Sequence, residues 1–113
     1  MSEKVVELTD DSFGAATRNG VTLVDFWAPW CGPCLMQGPV VQEVALKMAD
    51  RATVAKVNVD DAPQIAAQYG IRSIPTLIVL KDGQSVQQFV GVQSESQLVD
   101  AIEGALLKEP IKL

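Results

Sequence analysis

The chain has 113 residues, 48% of them hydrophobic, and its 14 acidic and 9 basic residues give a net charge of −5. This length predicts one compact domain over residues 1–113, and the scattered basic residues exclude a nucleic-acid partner, which needs concentrated positive charge. The absence of histidine excludes Ser-His-Asp and Cys-His nucleophiles and imidazole zinc sites. Because no apolar run is long enough for a membrane span and residues 1–4 open no signal peptide, we expect a cytoplasmic monomer without a membrane partner.

Strand and helix patterns divide the chain into nine predicted elements. Apolar runs mark the strands, and capping residues, prolines and glycines mark the helix ends. In chain order these elements are a strand at residues 5–8, a helix to about 18, a strand at 21–28, a helix from after 33 to about 50, a strand at 53–59, a helix opened by 60–63 and ending at Gly70, strands at 76–80 and 85–90, and a helix from 94 through 106. The order predicts an α/β fold, in which helices cover both faces of a mixed sheet that ends in an antiparallel hairpin turned at Asp82-Gly83.

Three local signals make specific predictions about the helices. Residues 9–12 offer N-cap side chains to the first helix, and Ser94 with Gln97 forms a capping box for the last helix. Gly38-Pro39 predicts a kink in the long helix, because proline removes a backbone hydrogen bond.

Cys31 and Cys34 are the two cysteines of the chain, and they lie where a buried strand gives way to a helix. The free N–H groups and positive dipole end of a helix N-terminus stabilise a nearby thiolate, which is the attacking form in disulfide exchange. Cys34 falls inside the first helical turn and is expected to be the more covered of the two. The position therefore predicts Cys31 as the entering nucleophile and Cys34 as the resolving cysteine.

Three other uses of the cysteine pair are open at this point. A structural disulfide across so short a loop restricts the unfolded chain by only about 2 kcal/mol. A zinc site needs four ligands, so without further cysteines or histidines it would have to be shared between subunits. Two inert core cysteines are the third alternative, although Gly32 and Pro33 between them favour an exposed turn.

The segment at residues 26–34, FWAPWCGPC, resembles the active-site segment of the thioredoxin family. The resemblance extends in the family's order over residues 3–107, through Pro39, residues 56–60, residues 69–76 and Gly91. It implies the thioredoxin fold, a mixed five-stranded sheet flanked by four helices. It also implies a general protein disulfide reductase with a redox-active Cys31–Cys34 disulfide. Such an enzyme binds no cofactor or metal itself and receives electrons from NADPH through a flavin-containing thioredoxin reductase.

Asp25 interrupts the apolar second strand, where a carboxylate is costly to desolvate. The resemblance implies a buried acid that moves protons to and from Cys34 through water, with Lys56 of a neighbouring strand as its charge partner. The alternatives are an Asp25 turned to solvent at a strand edge and a Lys56 that is an ordinary surface lysine. We hypothesise that desolvation raises the pKa of Asp25 above its unfolded value.

The resemblance also implies a docking surface for clients around the cysteines. Pro75 would hold a cis peptide bond against the sulfurs, whereas a trans proline that starts a strand is the alternative. The backbone groups of Ile74 and Thr76 would bind an extended substrate segment. The expected rim of this surface consists of Trp30, Gly32, Pro33, Gly70, Ile74 and Gly91.

The chain departs from the family pattern at three places. Leu35 stands where thioredoxins commonly carry a basic residue, which predicts a less stabilised thiolate or a changed set of partners. Gln37 and Gly38 are also unusual at their positions. Residues 108–113 extend beyond the usual end of the family and have no assigned function.

Two alternative functions compete with disulfide reduction. One is a binding module that binds a partner through the surface around Trp30 and Pro75, with the redox state of the cysteines as a switch. The other is a thiol oxidase or isomerase, although Gly-Pro between the cysteines resembles the reducing members of the family, since the oxidases and isomerases usually carry a histidine there.

Overall fold

The computed structural model describes residues 4–107, and their strands form one five-stranded mixed sheet. The strands are β1 (Val5–Leu8), β2 (Val21–Trp27), β3 (Thr53–Asn58), β4 (Thr76–Lys81) and β5 (Gln84–Val90). The helices are α1 (Phe13–Thr17), α2 (Gly32–Lys47), α3 (Pro63–Gln68) and α4 (Glu95–Leu107). The predicted element order and α/β class are therefore confirmed, while the tail at residues 108–113 lies outside the described residues.

The strand order across the sheet places β2 at its centre. The order is β1-β3-β2-β4-β5, with β1, β3 and β2 parallel and with β4 antiparallel to both β2 and β5. The chain leaves β2 at Trp27 and enters α2 at Gly32. The cysteine segment thus lies at the carboxyl end of the central strand, which is where open α/β sheets commonly carry their sites.

Two hydrophobic cores lie on opposite faces of the sheet. Side chains that are adjacent along β2 point to opposite faces, so Leu23 enters one core and Val24 the other. The first core joins the sheet to α2 and α4, and its buried members include Leu23, Val41, Val44, Leu77, Leu98 and Ile102. The second joins the sheet to α1 and α3, and its buried members include Phe13, Val24, Phe26, Ile65 and Ile78.

Of the two predicted N-caps, one is confirmed and one is wrong. At α4, the N–H of Gln97 donates to Ser94 Oγ at 3.2 Å, and the N–H of Ser94 donates to Gln97 Oε1 at 2.9 Å. At α1, the side chain of Ser12 makes no cap hydrogen bond to the helix. The N–H of Phe13 bonds the Thr9 carbonyl at 3.0 Å, and the hydroxyl of Ser12 instead accepts from the N–H of Thr9 at 2.9 Å.

The long helix α2 ends earlier than its pattern predicts. It ends at Lys47 rather than near Asp50, because Met48 leaves helical geometry with φ −106° and ψ 11°. Pro39 lies inside this helix, and the kink expected there stays a prediction. None of the helices within residues 4–107 has the length and apolarity needed to cross a membrane.

The β4–β5 hairpin turns at Asp82-Gly83, as predicted. Both residues have positive φ values, 51° and 82°, which a two-residue type I′ turn requires and which glycine adopts without a Cβ clash. The carboxylate of Asp82 accepts a hydrogen bond from the N–H of Gly20 at 2.7 Å, and the N–H of Asp82 donates to the Gly20 carbonyl at 2.9 Å. The hairpin is thereby joined to the residue that precedes β2.

Candidate active site

The cysteine pair lies at the N-terminus of α2. Cys31 is the N-cap residue, and a disulfide joins it to Cys34. The backbone N–H of Cys34 donates a hydrogen bond to Cys31 Sγ at 3.2 Å. Gly32 and Pro33 form the exposed start of the helix, where proline is favoured because its missing N–H would have no helical partner. The helix N-terminus therefore directs a donor at the sulfur predicted to be the nucleophile.

Both cysteine side chains are covered by surrounding residues. Their exposed fractions are 6% for Cys31 and 3% for Cys34, which agrees with the expected order. The expectation of an exposed turn holds for Gly32 and Pro33 but is wrong for the cysteines. The residues that pack around the pair, from several elements, are Trp27, Ala28, Val59 and Ile74.

The segment that precedes β4 reaches the cysteine sulfurs. The Ile74–Pro75 peptide bond is cis, as the family resemblance implied. The carbonyl oxygen of Ile74 lies 3.7 Å from Cys31 Sγ, so a backbone group of this segment faces the disulfide. Pro75 and Thr76 are buried, and the hydroxyl of Thr76 donates to the Ser73 carbonyl at 2.6 Å.

The residues predicted to form the rim lie in separate loops of the structure and at the start of α2. Trp30 is 70% exposed, and its indole N–H donates to Asp60 Oδ2 at 2.8 Å. No local pattern indicated Asp60 as a partner of Trp30, because it comes from a different part of the chain. Gly91 has φ 95°, a conformation that favours glycine, and its N–H donates to the Pro75 carbonyl at 2.8 Å. Gly70 is exposed at the end of α3, and its N–H bonds within the turn that ends this helix.

Asp25 lies within the central strand, opposite Lys56 of β3 and Leu77 of β4, and is 3% exposed. The alternative of a solvent-facing aspartate at a strand edge is therefore wrong. Burial raises the pKa of Asp25 from its ordinary value of 3.8 to about 7, and the positive charge of Lys56 opposes this rise by a smaller amount. Its Oδ1 atom has no hydrogen-bond partner among the described residues. This direction and its cause agree with the hypothesis that desolvation raises the pKa of Asp25.

Lys56 is half-buried beside the same strand. Its Nζ atom lies 4.7 Å from the centre of the Trp27 ring, within the range of a cation–π interaction. Its charge also acts on the carboxyl group of Asp25. These contacts favour the interpretation of Lys56 as the charge partner of Asp25 over that of an ordinary surface lysine.

Gln37 joins the active-site helix to the loop after β5. It follows Cys34 by one helical turn and is wholly buried. Its Nε2 donates to the Gln93 carbonyl at 3.0 Å, and its Oε1 accepts from the Gln93 N–H at 2.7 Å. Sequence patterns marked Gln37 only as unusual, since its partner lies far along the chain.

The solvent side of α2 next to the cysteines is apolar. Leu35 is 58% exposed and Met36 is 69% exposed. The position that commonly carries a basic residue in thioredoxins thus presents a hydrocarbon side chain to solvent. Within residues 4–107, no three His, Cys, Asp or Glu side chains lie close enough together to hold a metal ion.

Comparison with known proteins identifies the family. Residues 4–104 match the family model of thioredoxin. The chain belongs to the thioredoxin family. A thioredoxin of Bacillus subtilis strain 168 is 47% identical over 98 residues, which cover 87% of this chain and 94% of that protein. Thioredoxin 2 of Chlorobaculum tepidum is 48% identical over 105 residues, which cover 91% of this chain and 96% of that protein.

A solved thioredoxin has the same fold. A mutant thioredoxin from Halobacterium salinarum NRC-1 matches with a TM-score of 0.85 at 38% sequence identity, and the match covers 97% of this chain and 98% of that one. The predicted thioredoxin fold is therefore confirmed. The cysteine pair fits the WCxxC motif of the family, and the chain is a thiol–disulfide oxidoreductase that reduces disulfides through its dithiol.

Proposed function

We propose that this protein reduces client proteins with Cys31 as the entering nucleophile and Cys34 as the resolving cysteine. In the first step, the Cys31 thiolate attacks one sulfur of the client disulfide. The client S–S bond breaks, a bond forms between Cys31 and the client, and the other client sulfur leaves as a thiolate that takes up a proton. In the second step, the Cys34 thiolate attacks Cys31 Sγ, closes the Cys31–Cys34 disulfide and releases the second client thiol. Two electrons pass from the dithiol to the client.

The hydrogen bond from the Cys34 N–H to Cys31 Sγ is the observation that carries this assignment. In the reduced protein, the same donor and the positive end of α2 stabilise negative charge on Cys31. Cys31 precedes the helix and faces the Ile74 carbonyl, whereas Cys34 lies inside the first turn. A client that docks along Ile74 therefore meets Cys31 first.

We assign Asp25 the role of accepting the proton of Cys34 through water. A general base is most effective when its pKa lies near the working pH. Burial raises the pKa of Asp25 to about 7, and Lys56 limits the rise. The Oδ1 atom of Asp25, which has no partner within residues 4–107, retains its capacity to accept a hydrogen bond from that water.

Recycling by a second protein completes the proposed cycle. A flavin-containing thioredoxin reductase passes electrons from NADPH to the Cys31–Cys34 disulfide, and the chain works in the cytoplasm as a monomeric single domain of residues 1–113 without a bound cofactor. Family membership supports this route. Trp30, exposed beside the disulfide, offers both reductase and clients an apolar surface. We expect Leu35 to change which partners dock there.

Reduction of insulin disulfides at neutral pH, driven by dithiothreitol, tests the proposed function. Catalytic amounts of the protein are expected to accelerate reduction, and Cys31→Ser is expected to abolish the acceleration because it removes the attacking sulfur. A folded wild-type protein that gives no acceleration contradicts the proposal and favours a redox-switched binding module instead.

A matched pair of serine variants separates the roles of the two cysteines. Cys34→Ser keeps the attacking sulfur and lacks the resolving one, so it is expected to accumulate a mixed disulfide with insulin that dithiothreitol releases. Cys31→Ser is expected to accumulate far less of this adduct. Mass spectrometry without reductant measures both, and a larger adduct on Cys31→Ser would reverse the assigned roles.

A further inference from the structure

We propose that Gln37 is a positioning residue that fixes the loop at residues 91–93 against α2 and so sets the affinity for protein clients. The inference rests on the proposed disulfide-reductase function and adds a determinant of client binding to it. Gln37 is itself wholly buried, so it acts through the loop rather than by contact with a client. Its side chain shares the buried face of α2 with Cys34, three positions earlier.

The side-chain amide of Gln37 holds the loop at two points. Its Nε2 donates to the Gln93 carbonyl at 3.0 Å, and its Oε1 accepts from the Gln93 N–H at 2.7 Å. A two-point contact fixes both the distance and the orientation of the Gln93 backbone relative to the helix. An apolar side chain of similar size would leave a backbone donor and a backbone acceptor of Gln93 without these partners.

Hydrogen bonds continue from this contact to the segment that faces the disulfide. The side chain of Gln93 donates to the Gly91 carbonyl at 3.2 Å, and the N–H of Gly91 donates to the Pro75 carbonyl at 2.8 Å. The residue before Pro75 is Ile74, whose carbonyl lies 3.7 Å from Cys31 Sγ. The loop is therefore held both by α2 and by the segment on which an extended client is proposed to bind.

The loop carries exposed apolar surface between its anchors. Val92 is 44% exposed and Val90, just before the loop, is 62% exposed. A surface that is already ordered loses less conformational freedom when a client docks, which strengthens binding without any new contact. A small disulfide reagent reaches Cys31 without covering this surface. Loss of the Gln37 contact is therefore expected to weaken reduction of proteins selectively.

Steady-state kinetics of Gln37→Met test this selectivity. With insulin as substrate, we expect KM to rise about five-fold while kcat stays near the wild-type value, as for the loss of an interaction made equally in ground state and transition state. With 5,5′-dithiobis(2-nitrobenzoate), we expect the wild-type rate. Gln84→Met is the matched control, because Gln84 is exposed at the opposite end of the sheet, paired with Lys81. It is expected to leave both reactions unchanged.

Amide hydrogen exchange gives a readout of the contact that does not depend on activity. In the wild-type protein, the Gln93 amide is expected to exchange slowly because it donates to a buried side chain, and in Gln37→Met it is expected to exchange faster. Gln37→Asn keeps a neutral amide on a side chain that is one methylene shorter and reaches the Gln93 backbone less well, so an intermediate exchange rate and an intermediate KM are expected. If Gln37→Met does not fold, Gln37→Asn and the wild-type exchange rate carry the test.

Three outcomes overturn the proposal. They are an unchanged KM for insulin in folded Gln37→Met, equal losses with insulin and with the small reagent, and a wild-type Gln93 amide that exchanges as fast as that of exposed Val92. Failure of the wild-type protein to reduce insulin is a different result. It overturns the proposed function, while the exchange measurement still reports whether the contact forms.

Discussion

Burial of Asp25 makes the stability of the fold depend on pH. The pKa of Asp25 is about 7 in the folded chain against an ordinary value of 3.8, so the folded chain keeps a proton that the unfolded chain releases between these values. Protonated Asp25 therefore makes its full contribution to stability below pH 3.8, and this contribution is lost as the pH rises to about 7. The difference between the two pKa values of Asp25 lowers the free energy of unfolding at alkaline pH by about 4 kcal/mol.

Asp25→Ala is expected to raise Tm at about pH 8 and to flatten the dependence of Tm on pH below that value, because the ionisable group is gone. The small cavity left by the carboxyl group offsets part of this gain. The same variant is expected to slow insulin reduction. Thermal unfolding of the oxidised protein near pH 4 and near pH 8 measures the effect, with exposed Asp50→Ala as the control. A lower Tm for Asp25→Ala at the higher pH would refute the argument.

The short helix α3 depends on a cap from a distant part of the chain. The carboxylate of Asp10 accepts hydrogen bonds from the N–H groups of Gln64 at 3.3 Å and Ile65 at 2.9 Å. The helix has only six residues, and its N-cap residue Ala62 offers no side-chain acceptor. The sequence predicts that residues 60–63, which include the aspartates at 60–61, open this helix. In the structure, the carboxylate of Asp10 accepts the hydrogen bonds from the first N–H groups of the helix instead.

Asp10→Ala is expected to lower the free energy of unfolding by about 1–2 kcal/mol, because two N–H groups of α3 lose their acceptor. Asp10→Asn keeps one acceptor oxygen and is expected to lose less. Asp11→Ala is the control, since Asp11 is exposed in the same turn. Urea unfolding measures all three variants, and an equal loss for Asp10→Ala and Asp11→Ala would show that the cap contributes nothing.

The features that the sequence predicts correctly are those formed by residues close together in the chain. The hairpin at Asp82-Gly83 and the capping box of Ser94 and Gln97 both involve residues within four positions, so a local pattern contains the whole interaction. The expected cap of α1 was wrong because Ser12 bonds back to the preceding turn rather than forward to the helix. The long-range cap of α3 has no local signal at all.

In the candidate site, too, the features with a local sequence signal could be predicted, and those formed by distant residues could not. The position of Cys31 at a helix N-terminus follows from the local strand-to-helix pattern, and the structure places a helix donor on its sulfur. The burial of that sulfur was missed, because Val59 and Ile74, which help to cover it, come from other parts of the chain. The contact between Gln37 and Gln93 was missed for the same reason, since the two residues meet only when α2 packs beside the loop after β5.

In the whole molecule, the two cores share the strands that separate them. β2 supplies Leu23 to the core under α2 and α4 and supplies Val24 to the core under α1 and α3, and β4 does the same with Leu77 and Ile78. If either core opened, the strands would lose the packing on one face. The other core would then lose the ordered strands against which its side chains pack. We therefore expect the two cores to unfold together in a single transition.

Truncations in the two cores test this coupling. Ile102→Ala, on the α4 side, and Ile78→Ala, on the α1 and α3 side, each remove a side chain that is at most 1% exposed. Each is expected to cost about 2–5 kcal/mol and to shift one urea transition to lower concentration with an unchanged slope. Leu46→Ala, at a 55% exposed position of α2, is expected to cost much less. Far-UV circular dichroism reports the helices and tryptophan fluorescence reports the surroundings of the disulfide, so curves that separate in either core variant would show that the cores unfold independently.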